Sequence, residues 1–127
     1  MSQAPAPIVV VDDDPDTVEF LCDYLRSLGL RGVSCRVGPQ VAACIVHHAP
    51  RLVMLDVELG DLTDIEVFHT LRADATTRQV PVIFFTGNAD KLRTDLPDYR
   101  AHAAALVVKP DLPGLQAAIH AVVPHHA

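Results

Sequence analysis

Five polar side chains follow four short apolar runs of the sequence, and their types are those of a phosphoryl-transfer site. They are Asp12, Asp13, Asp56, Thr86 and Lys109. A carboxylate can attack phosphorus, while hydroxyl and lysine groups can bind phosphoryl oxygens. Three carboxylates in one place repel each other unless a cation compensates their charge. Oxygen ligands of this kind suit Mg2+, which we therefore expect as the cofactor.

The four apolar runs have the pattern of strands that are buried on both faces. They are short, continuous and rich in β-branched or aromatic residues: Ile8–Val11, Leu52–Leu55, Val82–Phe85 and Ala105–Val108. Strands of this kind are typical of a parallel sheet covered by helices. A weaker strand is predicted from about Gly32 to Val37, near an edge of the sheet.

Helical patterns fill the intervals between these strands. Asp14 and Pro15 form a start signal for a first helix, and Gly29 is expected to end it. Further helices are predicted from about Pro39 to His48, Asp64 to Ala73 and Leu112 to Val123. Pro97 interrupts the segment from Asn88 to Ala104, where we predict a short or displaced helix.

The resulting (βα)5 order predicts an α/β, doubly wound fold with a five-stranded parallel sheet. Parallel strands all end at the same edge, where ligands of open α/β sheets bind. We therefore expect the five polar side chains to converge at that edge, although they are scattered along the chain.

Length and charge restrict the class of protein. The 127 residues fit a single domain, with a core from about residue 8 to 123. A formal net charge of −6 argues against nucleic-acid binding, which needs clustered Lys and Arg. No apolar stretch approaches the roughly 20 residues needed to span a bilayer, and no signal peptide is evident at the start. We expect a cytoplasmic location and no membrane association.

The cysteines and histidines carry weaker signals. Cys22, Cys35 and Cys44 include no C-x-x-C pair and are odd in number, so we predict reduced, buried thiols rather than disulfide or metal-binding roles. None of the seven histidines lies in an H-x-x-x-H arrangement. We interpret them as surface residues, with at most adventitious metal affinity at the C-terminal pair.

Four segments together resemble the receiver domain of two-component response regulators, in particular the chemotaxis-regulator type. They are Val9–Asp13, Leu52–Asp56, Pro81–Thr86 and Val107–Pro110, in this order and at compatible spacings. The resemblance extends from about Ile8 to Val123. It implies a flavodoxin-like fold with strand order 2-1-3-4-5, and a cis peptide bond between Lys109 and Pro110.

The resemblance also implies roles for individual residues. Asp56 would accept a phosphoryl group from the phosphohistidine of a sensor histidine kinase or a histidine phosphotransfer protein. Thr86 and Lys109 would bind the phosphoryl oxygens, assisted by the Gly87 amide. Mg2+ would be held by three carboxylates and one backbone carbonyl, namely Asp12, Asp13, Asp56 and Glu58. Phosphorylation would switch a protein-interaction surface, and a phosphorylation-dependent dimer is a further state that the resemblance allows.

Three positions depart from the family pattern. Gly60 and Asp64 stand where the family usually has proline and glycine, so the loop after Asp56 is expected to turn differently. Leu106 stands where an aromatic switch residue is common, which excludes an aromatic rotamer switch there.

The sequence does not indicate the downstream target, and a stand-alone regulator is favoured over a part of a larger protein.

Three other functions compete with this interpretation. An aspartyl phosphatase would need a second aspartate where Glu58 stands, and a flavin-binding module would need a Ser/Thr-rich phosphate loop where the chain has Asp12, Asp13 and Asp14. A degenerate receiver that binds a partner without being phosphorylated is the main alternative, because of the three departures. We expect a phosphoacceptor that promotes its own phosphoryl transfer and dephosphorylation, rather than an enzyme.

Overall fold

Strands and helices alternate along the chain in the computed structural model, which describes residues 6–38, 40–56, 58–59, 62–95 and 105–123. The elements are β1 Ile8–Val11, α1 Pro15–Ser27, β2 Gly32–Ser34, α2 Val41–His48, β3 Leu52–Leu55, β4 Glu58–Leu59, β5 Leu62–Thr63, α3 Asp64–Ala73, β6 Val82–Thr86, α4 Ala89–Asp95, β7 Ala105–Val108 and α5 Leu112–Val122.

The main sheet has five parallel strands in the order β2-β1-β3-β6-β7. Counted along the chain without the short β4 and β5, this is the order 2-1-3-4-5, so the predicted topology is confirmed. In the centre, Val11 pairs with Leu55, and Leu55 pairs with Phe84. The strands that precede the acidic residues therefore end side by side.

Alternate residues of each central strand pack against opposite helical layers. One layer contains α2 and α3, and it covers Val9, Val11, Val53, Leu55, Val82 and Phe84. The other contains α1 and α5, and it covers Ile8, Val10, Leu52, Met54, Ile83 and Phe85. Both faces of these strands are thus removed from water, which explains why they read as continuous apolar runs rather than as alternating ones.

The ends of α1 follow from local chemistry. The Asp14 side chain accepts hydrogen bonds from the Asp16 N–H at 3.1 Å and the Thr17 hydroxyl at 2.8 Å, and Pro15 follows this cap. Gly29 has φ +77°, a left-handed conformation that glycine adopts without steric cost and that ends the helix. No helix in the described ranges is both long and apolar enough to cross a membrane.

Several elements differ from the sequence predictions. Strand β2 is only three residues long, and α2 begins at Val41 rather than at Pro39, which lies outside the described residues. An antiparallel pair, β4 with β5, was not predicted, because two-residue strands leave no periodic pattern. Helix α4 has seven residues and is short, as expected, whereas Pro97 lies outside the described residues.

The prediction of three reduced thiols is wrong for two of them. Cys35 and Cys44 form a disulfide, with their Cα atoms 5.9 Å apart, while Cys22 is free. Cys35 follows the edge strand β2, and Cys44 lies on α2 facing the core. The pairing depends on how α2 packs against the sheet edge, and linear spacing contains no information about that packing.

Candidate functional site

The adjacent ends of β1 and β3 bring three carboxylates together. Asp12 follows β1, Asp56 follows β3, and the Asp56 N–H donates to the Val11 carbonyl at 3.1 Å. This hydrogen bond continues the ladder by one residue and holds the two aspartates beside each other. Carboxylate oxygens of Asp12, Asp13 and Asp56 all lie within 4.8 Å of one another.

Lys109 follows β7 and reaches this acidic group past the end of β6, which lies between β3 and β7. Its Nζ lies 2.6 Å from Asp12 Oδ2 and 3.2 Å from Asp56 Oδ2. Its backbone N–H donates to the Thr86 carbonyl at 2.9 Å, which ties the lysine to the end of β6. The peptide bond to Pro110 is cis. One ammonium group thus bridges two carboxylates that are far apart in the sequence.

Burial increases the electrostatic cost of the negative charges at this site. Asp12 and Asp56 are each only 8% exposed, whereas Asp13 is open to solvent. Three carboxylates and one ammonium group leave two negative charges uncompensated when all are ionised. Charges that are removed from water need compensation by ion pairs or bound cations.

The pKa values of Asp12 and Lys109 reflect this environment. Burial raises the pKa of Asp12 above its ordinary value, although hydrogen bonds from Lys109 and from the Asp14 N–H at 3.0 Å work in the opposite direction. Burial also lowers the pKa of Lys109, but its interactions with Asp12 and Asp56 outweigh this and raise it overall. Lys109 is therefore held as a cation, whereas ionised Asp12 is disfavoured by the fold.

Thr86 is placed at the same edge but is engaged in a local contact. It is the last residue of β6 and is fully buried. Its hydroxyl oxygen accepts a hydrogen bond from the Asn88 N–H at 3.0 Å. The threonine thus lies one backbone hydrogen bond away from Lys109, and its hydroxyl links the strand end to the segment that leads into α4.

The other predicted positions are described less fully. The Glu58 backbone lies in β4, opposite Thr63, and its use as a carbonyl ligand stays a prediction. Gly60 lies outside the described residues, and Asp64 begins α3. Leu106 pairs with Phe84 and packs against the α2 and α3 side of the core, where it fills space as an aliphatic side chain.

Phe85 is a site neighbour that the sequence interpretation missed. The Lys109 Nζ lies 5.9 Å from the centroid of its ring, within the range of a cation–π contact. The available signal was the position of Phe85 immediately before Thr86, since a buried strand that ends at the site must also place its penultimate residue near it.

The donor set fits a hard divalent cation. Carboxylate oxygens are the ligands that Mg2+ prefers, and the two uncompensated negative charges match its charge. Among the described side chains of this group, Asp13 is the exposed member, so it can meet an ion that retains several waters. The fit rests on ligand chemistry and charge together.

Comparisons with known proteins agree with this description. The sequence matches the family model described as response regulator receiver domain over residues 8–120. It is 28% identical over 114 residues to a probable cyclic di-GMP phosphodiesterase of Vibrio cholerae, covering 89% of this chain and 25% of that protein. It is 36% identical over 83 residues to the DNA-binding response regulator MtrA of Mycolicibacterium smegmatis, covering 65% of this chain and 35% of that protein. The chain thus spans about a quarter and about a third of the length of these relatives.

A solved structure gives the same fold. The receiver domain of the sensor histidine kinase PA1611 from Pseudomonas aeruginosa PAO1 superposes with a TM-score of 0.81 and 25% identity, covering 94% of this chain and 98% of that one. That receiver domain has a magnesium ion coordinated in its active-site cleft.

The raised pKa of Asp12 predicts that replacing this carboxylate with a neutral side chain increases the stability of the fold. Without divalent cations at neutral pH, Asp12→Asn should raise the free energy of unfolding, because it removes a carboxylate whose ionised form the fold disfavours. The gain should disappear as the pH falls through the raised pKa, since wild-type Asp12 then becomes protonated. Urea titrations of both proteins across this range measure the difference.

Asp74→Asn is the matched control for this experiment. Hydrogen bonds from Thr76 lower the pKa of Asp74, so its ionised form is favoured and its neutralisation should give no gain. An Asp12→Asn protein that is less stable than wild type at neutral pH without metal would contradict the charge balance described above.

Proposed function

The chain belongs to the family of response regulator receiver domains, and we propose that it accepts a phosphoryl group on Asp56 from a phosphohistidine. The donor would be a sensor histidine kinase or a histidine phosphotransfer protein. The observation that carries the proposal is the environment of Asp56, whose carboxylate lies 3.2 Å from Lys109 and within 4.8 Å of two further carboxylates. An aspartate that only ended a strand would not require a paired lysine and two further carboxylates beside it.

The proposed transfer is a displacement at phosphorus. A carboxylate oxygen of Asp56 forms the new O–P bond while the P–N bond to the donor histidine breaks. The electron pair of the P–N bond stays on the imidazole nitrogen, which takes up a proton. Lys109 holds a positive charge beside the Asp56 carboxylate, and it would bind a phosphoryl oxygen as negative charge develops there. The buried Thr86 hydroxyl would donate to a second phosphoryl oxygen.

Mg2+ is the proposed cofactor of this transfer. Asp12, Asp13, Asp56 and the Glu58 carbonyl would hold it, and it would supply charge neutralisation at the phosphoryl oxygens. The carboxylates of the chain contribute the ligands, and the Asp14 N–H orients Asp12 by donating to its Oδ1 at 3.0 Å. The Pseudomonas receiver domain, which binds magnesium in its cleft, supports the same assignment here.

An apolar surface next to Lys109 is the proposed contact for the phosphohistidine partner. A cleft of about 330 Å³ lies between α1 and the start of α5 and includes Phe20, Phe85, Lys109 and Leu112. Phe20 is 51% exposed, although it is a large hydrophobic residue. A histidine that approaches Asp56 must bring its own helix or loop over this rim, and an exposed aromatic side chain is a typical anchor for such a contact.

Switching would proceed through Thr86 rather than through an aromatic side chain at Leu106. The Thr86 hydroxyl oxygen accepts from the Asn88 N–H, and a phosphoryl group on Asp56 would give the O–H of the same hydroxyl an anionic acceptor, drawing the hydroxyl toward Asp56. Such a difference in contacts between two states can shift a conformational equilibrium. The output to a protein target is predicted for residues 88 to 108, of which 96–104 lie outside the described residues.

The degenerate receiver is not favoured, because the carboxylates of Asp12, Asp13 and Asp56 lie within 4.8 Å of one another and Lys109 pairs with two of them. We propose that residues 1–127 act as one receiver domain in the cytoplasm, and that the chain promotes its own phosphoryl transfer rather than turning over a separate substrate. Dimerisation on phosphorylation would use the same output surface.

Incubation with a small phosphodonor and Mg2+ should add one phosphoryl group to the wild-type chain. Asp56→Asn should abolish the gain, because the amide cannot replace the attacking carboxylate. Asp14→Asn is the matched control, since it neutralises a neighbouring aspartate while retaining a good helix cap, and it should still be modified. Intact-mass spectrometry measures the product, and an unmodified wild type would contradict the proposal.

Mg2+ should stabilise the folded chain against heat. An ion that binds only the folded state adds about 2.7 kcal/mol at 100 times its dissociation constant. Asp13→Asn should weaken this effect because it removes the exposed carboxylate of the group, whereas Asp14→Asn should leave it unchanged. Thermal unfolding followed by circular dichroism with and without Mg2+ provides the measurement. Superimposable curves would argue against the metal site.

Binding of beryllofluoride, a phosphoryl mimic, should shift the amide resonances of Gly87 to Asp95 as well as those of the acidic group. Thr86→Ala should weaken the shifts in α4 while preserving those at Asp12 and Asp56, because it removes the hydroxyl that bonds to the Asn88 N–H at the start of α4. Thr70→Ala, on the exposed face of α3, is the control and should behave as wild type. Wild-type shifts confined to the acidic group would refute the switching route.

A further inference from the structure

A second group of metal-binding side chains lies between the edge strand β2 and helix α2. Cys35 follows β2, while Cys44 and His48 lie on α2. The two sulfur atoms and one ring nitrogen of His48 all lie within 4.8 Å of one another. The proposed phosphoryl transfer uses none of these residues.

The backbone brings the three side chains to one point. Cys44 and His48 are four residues apart on a helix, so their side chains project from the same face one turn apart. The Cys35 N–H donates to the Val10 carbonyl at 3.2 Å, which fixes Cys35 against the central strand β1. Its Cα lies 5.9 Å from that of Cys44.

We propose that the reduced chain binds Zn2+ through Cys35, Cys44 and His48, and that the Cys35–Cys44 disulfide is the metal-free, oxidised form of this site. Two thiolates and an imidazole are ligands that Zn2+ prefers over Mg2+. With Zn–S bonds of about 2.3 Å and Zn–N bonds of about 2.0 Å, tetrahedral ligand atoms lie roughly 3.5–3.8 Å apart. Reduction would free the two sulfur atoms to adopt this spacing, and the His48 nitrogen already lies within 4.8 Å of both. Water would complete the coordination of the ion.

The surroundings favour a cation at this place. His48 is the last residue of α2, and Ala49 ends the helix with φ +45°. The C-terminal end of a helix carries partial negative charge, which stabilises a nearby cation. Two thiolates also balance the charge of Zn2+, so the ion and its ligands can lie beside the buried Cys35 without leaving a net charge in the core.

The two states are connected by thiol–disulfide exchange. A dithiol reductant breaks the S–S bond of Cys35–Cys44, becomes a disulfide itself and leaves two protein thiols. Binding of Zn2+ then releases the two thiol protons to solvent and forms two Zn–S bonds. Oxidation by a small-molecule disulfide runs the other way, because it withdraws both thiolates from the ion and yields two molecules of the corresponding thiol.

The zinc site would connect the edge of the sheet to α2 next to the acidic group. Cys35 lines a cleft of about 650 Å³ together with Asp12, Asp13 and Arg36. Metal binding would therefore fix one wall of the cleft that leads to the phosphoacceptor residues. This consequence goes beyond the proposed function, and the metal site itself does not depend on it.

Titration of the reduced full chain with Co2+, a spectroscopic substitute for Zn2+, tests the proposal in the presence of excess Mg2+ that occupies the carboxylates. We expect thiolate-to-cobalt charge-transfer absorption at one equivalent, which added Zn2+ abolishes. Cys35→Ser and Cys44→Ser should lose this absorption, and Cys22→Ser should retain it as the matched control. Carboxylate or imidazole ligation alone cannot produce the band.

His48→Asn and His47→Asn distinguish ligation from a structural effect, because neither cysteine is altered. The first should change the cobalt spectrum and weaken binding, and the second should match wild type. Protein that has been treated with glutathione disulfide should give no band until it is reduced. Absence of the band in reduced wild type, or its survival in Cys35→Ser and Cys44→Ser, would overturn the proposal. Mg2+-dependent thermal stabilisation, measured on the same samples, verifies that each serine variant is folded.

Discussion

The bridge from Lys109 to Asp12 and Asp56 is the interaction on which the site depends. The Lys109 Nζ lies 2.6 Å from Asp12 and 3.2 Å from Asp56. Its side chain therefore connects the end of β7 to the ends of β1 and β3. It offsets only one of the three negative charges, and burial limits the screening of Asp12 and Asp56 by water. The fold therefore holds a charge imbalance at one edge, while the apolar sheet beneath it provides the rigidity to keep that imbalance in place.

This arrangement explains why stability and function oppose each other at Asp12. A neutral side chain there would suit the metal-free fold better, as the raised pKa of Asp12 indicates. A cation is bound more strongly where ionised ligands are already held together, because the cost of assembling them has been met by the folding of the core. The same physical feature that disfavours ionised Asp12 in the metal-free domain would thus favour the proposed binding of a divalent ion.

The sequence predicted the sheet and the membership of the acidic group because both depend on simple regularities. Strands buried on both faces appear as apolar runs, and parallel strands end at one edge, so the residue after each run had to lie there. The features that the sequence did not predict depend on packing across the sheet edge or on very short strands. Cys35 and Cys44 meet only because α2 lies against β2, and the two-residue strands β4 and β5 have no period. The contact of Phe85 with Lys109 was not predicted, because Phe85 carries no reactive group and its sequence pattern is that of any buried strand residue.

The two groups of candidate ligands differ in chemistry, although Cys35 of one group lines the same cleft as Asp12 and Asp13 of the other. Asp12 and Asp13 provide hard oxygen atoms, whereas Cys35, Cys44 and His48 provide sulfur and nitrogen, so the proposed Mg2+ and Zn2+ ions would be distinguished by ligand type rather than by position. Both groups are anchored to β1, since Asp12 follows it and the Cys35 N–H donates to Val10 within it. A change in the oxidation state of the cysteines would therefore reach the phosphoacceptor edge through one buried strand. The transmitted effect would be small, because close-packed neighbours on both faces of β1 resist its displacement.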